Sequence, residues 1–132
     1  MALVLSGCGG GGTSAGNTPN VAHTRDPRCT NVPASVTSAI GKKVTTGSLR
    51  FGQAVKSFDY EKATYFVSAK IGTGDVGTWA TNKLAVGGAI YAVDDIAKKN
   101  STWPHGDTSD TYVSMIDDGA DLSQDCVGAV AK

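Results

Sequence analysis

His105-Gly106-Asp107, with Asp110 three residues further on, brings an imidazole and two carboxylates into six residues of this 132-residue chain. Such a set can move a proton, because the imidazole titrates near neutral pH and a carboxylate can orient it. A small enzyme built on this sequence would use His105, Asp107 and Asp110. The second histidine, His23, lies in a glycine-rich region far upstream and is poorly placed to join them. Zinc needs three or four His, Cys or carboxylate ligands, and the chain holds no string with that spacing. Cys29 could pair with His105 only if its thiol were free. No metal and no cofactor is implied.

Three further groupings have a possible ligand chemistry and a structural explanation each. Gly72-Thr73-Gly74-Asp75-Val76-Gly77 fits the string G-x-G-x-x-G. That motif works by seating a pyrophosphate on the N-terminus of a following helix. Here β-branched and aromatic residues follow, Val76 to Thr81, so a hairpin is expected instead. Asp117, Asp118, Asp121 and Asp125 form an acidic cluster that could offer oxygen ligands to a hard cation. A calcium-loop spacing is missing, and a solvated face or helix cap explains the cluster better. Trp79, Tyr91 and Trp103 could wall a small-molecule pocket. Aromatics on short strands are equally what a small core requires. Trp79, Trp103 and His105 are therefore the residues of a possible ligand surface.

Near the N-terminus, Leu5-Ser6-Gly7-Cys8 is followed by Gly9-Gly10-Gly11-Gly12. The order aliphatic, small, small, cysteine resembles the lipobox of bacterial lipoproteins. In such a site the two small residues pass through a narrow peptidase cleft, and the cysteine thiol receives the lipid. The resemblance implies residues 1–7 as the remnant of a signal peptide, residues 8–28 as lipidated Cys8 and a flexible tether, and residues 29–132 as one globular domain. An apolar segment of roughly 7–15 residues after a basic stretch normally precedes the cleavage site. Only seven residues precede Cys8 and none is Lys or Arg, so Met1 is expected to lie within the hydrophobic region, with coding sequence upstream. The implied address is the extracytoplasmic face of the cell membrane, and the implied partner is the lipid bilayer through acylated Cys8.

If Cys8 carries lipid, Cys29 and Cys126 remain as an even pair, and an oxidising compartment favours a disulfide between them. About 105 residues remain beyond the tether, enough for one domain. The formal net charge is zero, which gives no reason to expect nucleic acid as a partner. Charge is nonetheless uneven: residues 1–103 hold 11 basic and 6 acidic side chains, a net +5, and residues 104–132 hold one basic and six acidic, a net −5. The function expected is a membrane-anchored binding or interaction module with an unknown ligand or protein partner. The alternatives are the small enzyme described above and a phage- or prophage-encoded lipoprotein that excludes superinfection.

The elements that must position these residues follow from periodicity. Val32, Val36 and Ile40 recur at four-residue spacing, with Pro33 suited to a first helical turn, so a helix is expected just after Cys29. The stretch Thr45 to Lys62 is ambiguous, although Leu49, Phe51 and Phe58 are expected to face inward. Tyr65 to Ile71 alternates with period two, Gly72 to Asp75 is turn chemistry, and Val76 to Thr81 returns. Ala89 to Val93 supplies a third strand. Asp94 is placed to cap a short helix over Asp95 to Asn100. Asp121 looks like the cap of a last helix over Leu122 to Ala131, with Gln124 as its capping-box partner. The fold expected is α+β: an antiparallel sheet of three to four strands packed with N- and C-terminal helices and closed by one disulfide.

Overall fold

The computed structural model describes residues 26–45, 48–108 and 112–131. The fold is α+β, with a five-stranded antiparallel sheet in the order β1 to β5, each strand beside its neighbour in sequence. The strands are β1 (Thr30–Asn31), β2 (Arg50–Lys56), β3 (Tyr65–Lys70), β4 (Val76–Thr81) and β5 (Ile90–Ala92). Helix α1 (Ala34–Gly41) lies between β1 and β2, α2 (Asp95–Asn100) follows β5, and α3 (Ala120–Val130) ends the described chain. The expected count of three to four strands is corrected to five. The additions are β1, which is two residues long, and β2, whose period-two signal is broken by a bulge. Between Arg50 and Gln53 the register shifts, and Phe51 takes a left-handed backbone with φ of 58°. Phe51 is consequently exposed, and Phe58, beyond β2 in the β2–β3 turn, is exposed as well; neither is turned inward as expected.

Register fixes which loops share an end of the sheet. Lys56 pairs with Tyr65, Tyr65 with Thr81, and Thr81 with Ile90. The β2–β3 and β4–β5 connections therefore emerge at one end, and the β3–β4 turn at the other. Chain entry is at the first end: Arg28 donates to the carbonyl of Lys56 at 2.9 Å.

One face of the sheet is apolar. Val36 and Ile40 of α1 and Ala97 of α2 pack with Ala54, Val67, Ile71, Trp79, Ile90 and Ala92. Trp79 is fully buried in this layer. A Cβ at Gly77, two residues earlier on β4, would meet the indole at 2.8 Å, so only glycine leaves room for the ring. The indole N–H donates to Ser101 Oγ at 3.2 Å, and Ser101 in turn donates to the carbonyl of Ala97.

The opposite face carries α3. Phe66, Ala80, Val93, Val113 and Ala120 form its apolar part, and Cys29, Val55 and Cys126 pack beside it. Cys29 and Cys126 are joined by a disulfide with a sequence separation of 97. Loop-entropy arguments assign a closure of that length up to about 4.7 kcal/mol, and native strain or residual structure reduces it. Helix α3 starts two residues earlier than expected, at Ala120 and not Leu122. Its N-cap is Gly119, at φ 94°, with no side-chain cap. A Cβ there would press on Val55 at 3.1 Å in addition to straining the backbone. Asp121 is thus inside the first turn, where its charge suits the helix dipole, and Gln124 is turned toward the sheet.

Candidate functional site

The residues singled out for chemistry are dispersed. His105 is exposed and bridges Ala92 in parallel through the backbone. Asp107 is engaged elsewhere: Lys98 of α2 donates to its Oδ2 at 2.9 Å. That hydrogen bond, with the ammonium charge, holds the Asp107 carboxyl below its ordinary range. A carboxylate paired to lysine is not free to orient an imidazole. Asp110 lies outside the described residues, as do Cys8 and the stretch from Cys8 to Arg25. Among the described residues, no three His, Cys, Asp or Glu side chains are grouped to hold a metal ion. Gly72 and Gly74 turn the chain into β4, a strand and not a helix, so no phosphate cradle forms there.

The three aromatics divide. Trp79 lies wholly within the core and offers no ligand surface. Trp103 is half-buried, its N–H donating to the carbonyl of Ile40 at 2.8 Å and its ring lying 4.5 Å beneath the Lys43 ammonium. It therefore packs over the C-terminal end of α1 and gives the Ile40 carbonyl a second donor beside the Lys43 N–H. Tyr91 does line a cleft, with Lys62, Thr64, Thr81, Asn82 and Val113, at the end of the sheet where the chain enters. The volume is about 260 Å³, below the roughly 300–1,000 Å³ of small-molecule sites. Its polar groups are largely spent on the loops: Thr64 Oγ1 donates to the carbonyl of Lys62, Thr81 Oγ1 to that of Lys83, and Asn82 Oδ1 accepts from Ala89. An open depression of about 550 Å³ runs along α1 past Thr37, Ser38, Lys42 and Leu49.

Comparison with family models, with curated proteins and with solved structures finds no match for this chain.

What the sequence reading missed is a set of contacts at the chain-entry end. Asp26 Oδ1 accepts the backbone N–H of Arg28. The Arg28 guanidinium lies 4.2 Å over the Phe58 ring and forms two hydrogen bonds to Asp118, at 2.7 and 3.1 Å. Asp118 also accepts the Phe58 N–H, and its own N–H donates to Asp59. The Arg28 hydrogen bond and charge hold the Asp118 carboxyl below its ordinary range. Tyr60 donates to Asp117, which also accepts the Ser114 N–H. Burial first, then that carboxylate, raises the Tyr60 phenol well above its usual range. These bonds zip the β2–β3 turn to residues 112–118 and account for two of the four clustered aspartates. They also begin at Asp26, inside the stretch expected to be tether. No spacing rule signals a contact between residue 28 and residue 118. Among the described residues, no helix is long and apolar enough to cross a membrane.

Proposed function

We propose that this protein is a membrane-anchored, extracytoplasmic bacterial lipoprotein whose domain works as an interaction module. The observation that carries the reading is the pairing of Cys29 with Cys126. It leaves Cys8, the cysteine of the lipobox-like string, as the one thiol outside the disulfide. A disulfide spanning nearly the whole domain also suits an oxidising compartment. The small entry-end cleft and the Lys98–Asp107 pair favour a binding surface over catalysis at His105, because Asp107, the described carboxylate of that set, is engaged by Lys98. The test is acylation of Cys8. Expressed from its native upstream sequence in a bacterial host, the mature protein should begin at Cys8 and carry acyl chains by mass spectrometry. Cys8→Ser should move the domain from the membrane to the soluble fraction. A wild-type protein with an unmodified Cys8 under those conditions would overturn the reading.

A further inference from the structure

Five large hydrophobic side chains are exposed among the described residues, and four of them gather at the end of the sheet where the chain enters. Phe58 is 73% exposed, Val86 66%, Tyr112 61% and Ile116 93%. The register places the β2–β3 turn, with Phe58, and the β4–β5 loop, with Val86, at that end. Tyr60 and Asp118 bind residues 112–118 to the same turn. The opposite end presents the polar turn Gly72-Thr73-Gly74-Asp75, in which Thr73 and Asp75 are hydrogen-bonded to each other.

We infer that this apolar end seats on the bilayer surface, with Phe58, Val86, Tyr112 and Ile116 in the boundary between headgroups and acyl chains. The inference rests on the lipid-anchor reading and adds an orientation to it. Exposed apolar clusters on a soluble domain mark a partner or a membrane, and the route of the chain selects the membrane. Residues 9–25, 17 in number, separate Cys8 from Asp26. The chain enters the domain at Asp26 and Arg28, and Arg28 lies against Phe58 itself. An anchor at Cys8 therefore holds this end, and not the polar one, close to lipid. Such confinement raises the effective concentration enough for weak apolar contacts to hold. Charge at this end is mixed: Asp118 is paired with Arg28 and Asp117 is turned inward to Tyr60, while Asp59 and Glu61 are exposed in the same turn as Phe58 and are offset by exposed Lys62 and Lys83. Lysines and aromatics at such a rim suit an interfacial position.

The experiment uses the full chain, with Cys8 coupled chemically to a maleimide lipid in phosphatidylethanolamine–phosphatidylglycerol vesicles. Anchoring is then independent of cellular acylation, so a failure here is distinguishable from an unmodified Cys8 in cells. Ile116→Trp and Thr73→Trp report on the two ends, each read as the emission added to that of the parent protein. With brominated acyl chains, Ile116→Trp should lose most of its added emission and Thr73→Trp little. Circular dichroism confirms that both exposed-site variants are folded. Equal quenching at the two positions would overturn the inference. So would an anchored Ile116→Trp that stays fully open to an aqueous quencher, an outcome that leaves the apolar end for a protein partner.

Discussion

Both faces of the sheet bury apolar side chains, but only the α3 face adds a connected chain of polar groups. Under α1 and α2 the contact is apolar and centred on Trp79, with one hydrogen bond from the indole to Ser101. Under α3 a chain of polar groups is buried. Ser123 Oγ and Ser68 Oγ are 2.7 Å apart, and Ser68 Oγ and Thr78 Oγ1 are 2.7 Å apart. Gln124 donates to Thr78 Oγ1 and to Asp94 Oδ2, each at 2.9 Å. Asp94 completes the run by accepting the N–H groups of Thr78 and Ala97, which caps α2. Apolar contact is non-directional, so α1 is held by area and shape. A buried hydrogen-bond chain is directional and costly when incomplete, so it sets the one register in which α3 fits the sheet. The difference separates how much a face contributes from how narrowly it specifies position.

The largest effect should come from the apolar face. Trp79→Ala empties the space under α1 and is expected to cost about 3–5 kcal/mol, the range for large aromatic truncations in cores. Urea unfolding checks this as a lowered midpoint with an unchanged slope. A cost below about 1 kcal/mol would mean that α1 collapses onto the sheet without the ring, and the contrast between faces would fail.

On the polar face a single deletion should cost less but behave less additively. Thr78→Val leaves Ser68 and Gln124 each short of a partner and should cost about 1–3 kcal/mol. Adding Ser68→Ala and Ser123→Ala removes the orphaned hydroxyls as well, and Gln124 keeps its bond to Asp94. The triple variant should therefore be less destabilised than the sum of its three single changes. Strict additivity in the same unfolding assay would show that these hydroxyls act independently and do not form a network.

Legibility in the sequence follows the same divide. Elements with an uninterrupted period were readable: the β3–β4 pair around Gly72 to Asp75, β5, the apolar row of α1, and the Asp94 cap of α2. The disulfide was readable once Cys8 was set aside. Strand β2 was not, because the left-handed Phe51 breaks the alternation that marks a strand. The start of α3 was misplaced because Asp121 offered a familiar capping signal. The decisive constraint, the close approach of Gly119 to Val55, is tertiary. Phe58 read as core by type alone, yet Arg28 and Asp118 hold its turn at the surface. The polar chain under α3 was invisible for a related reason. Ser68 and Thr78 look like ordinary solvent-side strand residues until α3 covers them.

The smallest effect tests the charged end of that chain. Burial raises the Asp94 carboxyl above its ordinary range, partly offset by the N–H groups of Ala97 and Thr78 and by Gln124. In the unfolded chain the group is ordinary. Between the two values the native state holds more proton, so its contribution to stability falls as pH rises through that window and is flat above it. Asp118 runs the other way: its lowered range adds stability at neutral pH that is lost as acid is added. Asp94→Asn removes only the first trend while leaving an oxygen to cap α2. Measured by urea unfolding across acidic to neutral pH, the wild type should lose ground to this variant as pH rises, by less than either change above. A difference that stays constant with pH would mean that Asp94 carries no burial penalty, and that the polar face contributes specificity without an ionic cost.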